Sequence, residues 1–269
     1  MYTIQRGVND NIKLSTIVQD FYNGTGDFVG ISDTAQLKIE VVGDNFTVTE
    51  AIEGSGTATD RLKYFNLGHE AEITKKCIVD FSKCNRITIT SPSDKRAVIF
   101  TGDNTVIKDI SIVANGALSC SMFSGKDVKV SDSDIYITAL ETAICLEYYG
   151  TFENTDVSVT SENEDAFCFR NNGSGITRVT GGEMFAYTGD STKESVPLYV
   201  LPDMTTNVLI ADKVSCPIVA RGGYTQTNTV KINSGYYALN NCVLGKAAAL
   251  YATGEGKTET GTIIFSKLN

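Results

Sequence analysis

Residues 133–137 read Ser-Asp-Ile-Tyr-Ile and residues 155–159 read Thr-Asp-Val-Ser-Val. In each, two apolar residues flank one polar or aromatic residue, the alternation of a strand with one buried face. The pattern recurs in Asn85-Arg-Ile-Thr-Ile and Lys108-Asp-Ile-Ser-Ile. Its first apolar member therefore falls at Ile87, Ile110, Ile135 and Val157, at steps of 23, 25 and 22 residues. A period of that length marks a repeat architecture, in which each unit buries its apolar face against its neighbours.

A second short segment follows each of these: Ala97-Val-Ile-Phe, Ala117-Leu-Ser-Cys-Ser-Met, Ala143-Ile-Cys-Leu-Glu-Tyr and Ala166-Phe-Cys-Phe-Arg-Asn, at steps of 20, 26 and 23. Clusters of Gly, Asn, Asp and Ser lie between the segments and read as turns. No run between them has the 3.6-residue period or the length of a crossover helix, which excludes alternating strand and helix. A hairpin meander gives no reason for like residues to recur every coil. The pattern predicts an all-β parallel β-helix with coils of about 22–25 residues and strands ~4.8 Å apart. It continues less regularly through Ile176, Met184, Val208 and Thr229, with TGDSTKES at 188–195 as an insertion.

Leu14, Ile17, Val18 and Phe21 fall at helical spacing, with Asp10 upstream and Gly24 just beyond. A short amphipathic helix is expected there. Residues 1–72 are assigned to an N-terminal cap of helix and irregular β structure. Residues 73–269 are assigned to the β-helix, closed by a C-terminal strand at Thr262-Ile-Ile-Phe. An open coil stack needs terminal covers because its end strands carry unpaired backbone.

Strict alternation assigns side chains to faces. With Phe167 and Phe169 inside, Ala166, Cys168 and Arg170 point out; Ile144 and Leu146 go in, Cys145 and Glu147 out; Leu118, Cys120 and Met122 go in, Ser119 and Ser121 out. The outward files are then Ser119/Cys145/Cys168, Ser121/Glu147/Arg170 and Thr88/Ser111/Tyr136/Ser158, and Glu147 pairs with Arg170 across neighbouring coils. Tyr136, Glu147, Arg170 and Asn115 are the candidate binding residues. Asn115, Glu141 and Glu164 fall in one file at a turn, with Asp165 beside it. Two carboxylates one coil apart stand near ~5 Å, the separation of acid and nucleophile in a retaining glycosidase. Glu141, Glu164 and Asp165 are thus the candidate catalytic groups; solvated acids at a turn, or acids holding an adventitious cation, are the alternative.

Composition narrows the partners. With 23 basic and 32 acidic residues the 269-residue chain carries a formal charge of −9 and has no basic run, which argues against nucleic acid or an anionic membrane. No stretch is long and apolar enough to span a bilayer, and the start MYTIQRGVND lacks a charged and apolar leader. Synthesis in the cytoplasm without a signal peptide is expected. The seven cysteines, irregularly spaced, read as reduced thiols, and a single histidine, His69, leaves no multi-histidine metal site. No metal or cofactor is called for by the residues themselves.

The stacked Asp-[Ile/Val]-x-[Ile/Val] strands and coil length, over about residues 73 to 250, resemble the right-handed single-stranded β-helix proteins of the pectate-lyase-like superfamily. That resemblance implies a right-handed coil and contact with polysaccharide. Among its members the phage tailspike and tail-fibre type is most similar, which implies a virion component, a homotrimer, and binding of a cell-surface glycan on an outer face. The hydrolase and lyase members imply the alternative, a polysaccharide hydrolase or lyase using turn carboxylates; for a lyase, Glu141, Glu164 and Arg170 are the candidates, with Ca2+ at acidic turns. A surface or prophage-encoded interaction module without catalysis is the third reading. Asn154-Thr155-Asp156 matches one polygalacturonase motif, but no Asp-Asp or Gly-His-Gly accompanies it.

Overall fold

The computed structural model describes residues 1–5, 7, 10–69, 73–171, 175–190, 193 and 195–200, with the backbone of seven later strands out to Phe265. The chain opens with β1 (Tyr2–Gln5), α1 (Asp10–Asn23), β2 (Gln36–Val48), β3 (Leu62–Asn66), β4 (Lys76–Thr90) and β5 (Arg96–Thr101). Strands then come in threes: β6 (Val106–Lys108), β7 (Ser111–Asn115), β8 (Ser119–Ser124); β9 (Lys126–Ser131), β10 (Asp134–Ala139), β11 (Ala143–Leu146); β12 (Tyr149–Glu153), β13 (Asp156–Ser161), β14 (Ala166–Asn171); β15 (Ile176–Thr180), β16 (Met184–Thr188), β17 (Ser195–Val200). Every pairing between them is parallel and joins a strand to the one three places on, as in β7–β10–β13–β16, β5–β8–β11–β14–β17 and β6–β9–β12–β15. The result is an all-β, solenoid-like stack of parallel sheets with a first face (β7 onward), a second (β8 onward) and a third (β6 onward).

The repeat predicts at least two strands per unit; each coil carries a third, Val106–Lys108, Lys126–Ser131 and Tyr149–Glu153, which the two recurring segments do not include. Pairing also begins before residue 73, since β2 lies on β4 and β3 on β5. The repeat is hard to read there because β2 and β4, at 13 and 15 residues, each run across two faces. Val79–Asp80 of β4 pairs with β6, while Arg86–Thr90 pairs with β7. Glu40 and Asp80 meet in this long ladder, and Lys38 Nζ lies 2.5 Å from Asp80 Oδ2. Burial pushes the Asp80 carboxyl up, but Lys38 and the Ser82 amide more than reverse this, leaving it at about 2.

On the first face Ile87, Ile112, Ile135, Val157 and Met184 register with one another, all buried, as do Ile89, Ala114, Ile137, Val159 and Ala186. The expected file used Ile110 in place of Ile112. Ile110 instead lies between β6 and β7, two positions early, because Asp109 turns the chain just before it with φ +57°. The same corner recurs at Asp132 (φ 52°), Asn154 (47°) and Gly181 (70°), where the amides of Asp109, Asp132 and Asn154 donate to Ser131, Glu153 and Thr180 carbonyls of the next coil. Short polar side chains tolerate this left-handed backbone best after glycine. Asn154, Thr155 and Asp156 are therefore corner residues: Thr155 Oγ1 donates to Glu153 O, and Asp156 Oδ1 accepts from Glu183 N.

The second face departs from alternation. Its ladders skip one column, that of Cys145 and Cys168, so Ile144 registers with Phe167 and Leu146 with Phe169. The strand bends there and turns two consecutive side chains into the core: Ile99-Phe100, Met122-Phe123, Cys145-Leu146 and Cys168-Phe169 are all buried in the core cluster. Cys145 and Cys168 thus point inward, at 0% exposure, and not outward as alternation predicted. The Cys168 thiol donates across the core to Phe185 O on the first face, at 3.2 Å. Val98, Ile144 and Phe167 are also buried but lie outside the core cluster, in register with Ser121.

Helix α1 covers the first coil with more than its apolar stripe. Leu14, Val18 and Phe21 are buried as expected. Beside them Asn11 Nδ2 donates to Glu50 O and Tyr64 O (2.9 and 3.0 Å), Ser15 Oγ accepts from Asn66 N, and Gln19 Nε2 donates to Asn66 O and Gly68 O. Spaced four residues apart on one side of the helix, these amides and hydroxyl bond the outer edge of β3, which has no strand beyond it in its sheet. Lys75, 4% exposed, donates to the Phe21 and Tyr22 carbonyls at the helix C-terminus, where a cation is favoured. Asn11→Leu removes a fully buried donor from the buried Tyr64 carbonyl and the partly buried Glu50 carbonyl and is expected to lower unfolding free energy by about 2 kcal/mol, measured by urea titration.

Candidate functional site

The first face alternates cleanly. Along β10, Ile135, Ile137 and Ala139 are buried while Asp134, Tyr136 and Thr138 are exposed, and β13 and β16 keep the alternation with their outward residues, Asp156 apart, half-buried. Its middle outward file is Thr88, Val113, Tyr136, Ser158 and Phe185; Val113 stands where Ser111 was expected, from the same two-residue offset as Ile110. Tyr136 is 44% exposed. Phe185 and Tyr187 present parallel rings, 6.5 Å between centroids and 4° between planes. Hydroxyls of Ser158, Thr138 and Thr160 lie among them, and Asn115 ends β7 on the same face. Two of the four candidate binding residues, Tyr136 and Asn115, are thus brought together. Phe185 and Tyr187 were not singled out, although alternation in Met184-Phe-Ala-Tyr assigns both outward once Met184 and Ala186 are placed inside.

Glu147 and Arg170 stand elsewhere, on the outer side of the second face. They are neighbours in register, since Leu146 pairs with Phe169, but no ion pair joins them. Glu147 is instead clamped by Arg61, with Nη1 to Oε1 at 2.5 Å and Nη2 to Oε2 at 3.0 Å, and accepts from Ser121 Oγ. Burial pushes the Glu147 carboxyl up, and these bonds more than reverse it, so its net shift is downward. Arg170 lies over the Phe167 ring at 5.5 Å, and its Nε has no hydrogen-bond partner among the described residues. Nothing in local sequence links Arg61 to Glu147, 86 positions away.

The candidate catalytic acids sit at the corner between the first and second faces. Glu141 N donates to Leu118 O, which makes Leu118 and not Asn115 its neighbour in the coil below; Asn115 registers with Thr90 at the end of the first face. Glu141 Oε2 lies 2.8 Å from Arg96 Nη2 and accepts from Ser119. Glu164 Oε2 lies 2.7 Å from Lys193 Nζ, so one side chain of the 188–195 stretch meets this corner. Asp165 gives its backbone carbonyl to Ala143 N. The two glutamates are engaged by separate cations in a ladder of partly exposed ion pairs. Among the described residues no group of three or more His, Cys, Asp or Glu could hold a metal ion, and no helix is long and apolar enough to cross a membrane.

The described cysteines, Cys77, Cys84, Cys120, Cys145 and Cys168, are unbridged and buried. Burial pushes the Cys77 and Cys120 thiols up to about 12 and raises Cys145 well above 9.0. From about pH 9 upward the unfolded thiols lose protons that the folded ones keep, so stability falls with pH between 9 and 12 and is intact below 9. The slope approaches about 1.4 kcal/mol per pH unit for each such thiol. Urea midpoints measured from pH 8 to 11 should drop, and Cys120→Ala with Cys77→Ala should flatten the decline.

Comparison of the chain with family models, curated proteins and solved structures finds no match. What the molecule offers a partner is therefore read from its faces alone, and the first face presents an exposed ring, Tyr136, and two half-buried ones, Phe185 and Tyr187, among hydroxyls.

Proposed function

We propose that this chain is a right-handed parallel β-helix of the pectate-lyase-like kind, acting as a phage-type structural or receptor-binding protein whose first face contacts polysaccharide. The observation that carries the proposal is that Tyr136, Phe185 and Tyr187 share one outward sheet face with Ser158, Thr138, Thr160 and Asn115. An aromatic face stacks on the apolar C–H face of a sugar, and the neighbouring hydroxyls serve its polar rim. Strands ~4.8 Å apart place such contacts at a regular rise along the stack, which suits a repeating polymer. The corner glutamates are taken up by Arg96 and Lys193, so binding without hydrolysis is the reading adopted. Assembly as a homotrimer and a place in a virion belong to the same proposal.

Tyr136→Ala and Phe185→Ala should each weaken glycan binding by about tenfold, while leaving the urea midpoint nearly unchanged. Affinity electrophoresis against a panel of bacterial surface polysaccharides checks the first effect. Retention of every glycan by the double variant removes the first face from the proposal, and a monomer by light scattering at micromolar concentration removes the trimer.

A further inference from the structure

The margin of the first face carries a column of carboxylates. Arg86, Ser111, Asp134 and Asp156 follow one another in register, and Glu183 comes next, its backbone bonded to Asp156 and Val157. Asp134, Asp156 and Glu183 are all exposed; Asp134 and Asp156 stand two positions before Tyr136 and Ser158 on their own strands, and Glu183 two before Phe185, just ahead of β16. None of the three forms an ion pair among the described residues, and Arg86 heads the column two strands from Asp134. The opposite margin is uncharged, running Thr90, Asn115, Thr138, Thr160 and Tyr187. The face is thus asymmetric: negative charge along one side, rings and hydroxyls across the middle and the opposite margin.

Three like charges one coil apart repel one another, and a cationic partner relieves that repulsion. Because no three acids converge on a single point, the column does not suit one metal ion. It suits positive charges spaced along a polymer that also stacks on the rings. Resting on the reading of the first face as a glycan surface, we propose that its occupant is an amino-sugar glycan, with free protonated amines facing Asp134, Asp156 and Glu183 and sugar rings on Tyr136, Phe185 and Tyr187. A neutral N-acetylated glycan offers the rings alone, and an acidic one such as polygalacturonate is repelled.

The test is titration calorimetry with three probes: a hexamer of β-1,4-linked glucosamine, the corresponding N-acetylglucosamine hexamer, and spermine. The glucosamine hexamer should bind about tenfold more tightly than its N-acetylated counterpart at low salt, with the difference shrinking as salt is raised. Asp134→Asn with Asp156→Asn should reduce the preference to about threefold or less, while Tyr136→Ala weakens both hexamers alike. Equal binding of the two hexamers, unaltered by the double Asn variant, overturns the amino-sugar inference and leaves the glycan face standing. Spermine binding as tightly as the glucosamine hexamer, and indifferent to Tyr136→Ala, overturns it too, as a cation sink only. Loss of neither hexamer in Tyr136→Ala, or binding of neither by the native chain, overturns the glycan face itself. Thermal melting of each variant keeps a folding defect from imitating a lost contact.

Discussion

Replacing Arg61 with methionine is expected to lower the stability of the fold by about 3–5 kcal/mol, the range seen when one partner of a buried ion pair is removed. The side chains of Arg61 and Glu147 are only 29% and 15% exposed, and Ser121, which donates to Glu147, is itself buried in register with the buried Ile144. Without Arg61 that carboxylate keeps only the neutral hydroxyls of Ser121 and Ser124, and it must stay desolvated or take up a proton. The variant should therefore recover part of its loss as pH falls through the range in which a buried carboxyl protonates. Arg61→Met with Glu147→Leu should regain most of the stability, because it removes both charges and keeps the apolar volume. Urea titrations of the two single variants and the double close the cycle. A loss under about 1 kcal/mol for Arg61→Met would make the pair a surface contact.

The second large effect lies in the core. Phe65, Phe100 and Phe123 stack face to face at 4.8 and 5.2 Å, and Phe123 meets Phe152 edge-on at 5.9 Å, which in turn meets Phe169 at 4.8 Å. All five are essentially unexposed. Phe123 joins the second-face column to the third face, so its truncation opens a cavity that two coils must close. Phe123→Ala is expected to cost about 3–5 kcal/mol, and Phe123→Leu distinctly less because most of the volume remains. The difference between them, read from urea midpoints at constant m, isolates the cavity from any change in the denatured state. Parallel coils whose contacts are only with their neighbours should make the loss local, so hydrogen exchange should quicken most in β5, β8 and β11.

How far the sequence was legible depended on whether a strand is half-buried. On the first face, polar and apolar residues alternate through Asp134-Ile-Tyr-Ile-Thr-Ala, and Tyr136 is placed outward from the letters alone, whereas Asn115, read as part of the turn file of Glu141 and Glu164, ends a first-face strand instead. On the second face almost every side chain from Ala143 to Leu146 is buried, so alternation carries no information about direction. A bend of the strand then put Cys145 and Cys168 in the core. The corner residue Asp109 shifted Ile110 by two positions in the same way: its left-handed backbone is invisible in a pattern of apolar letters.

The acids show a different limit. The sequence brought Glu141 and Glu164 to the same turn one coil apart, but it could not say which cation each would meet. Arg96 comes from an earlier coil and Lys193 from an insertion. Arg61 reaches Glu147 from the segment leading into the first coil.

The chain's own pattern determined that like strands recur every 22–25 residues with a hydrophobic inner side, because period-2 alternation repeated at a fixed interval admits few other arrangements. The third strand of each coil, the bends that turn Cys145 and Cys168 inward, and the partners of every buried charge were settled only when the coils stacked. Those features depend on residues tens of positions apart becoming neighbours across a ~4.8 Å rise, and nothing local in the sequence encodes that distance.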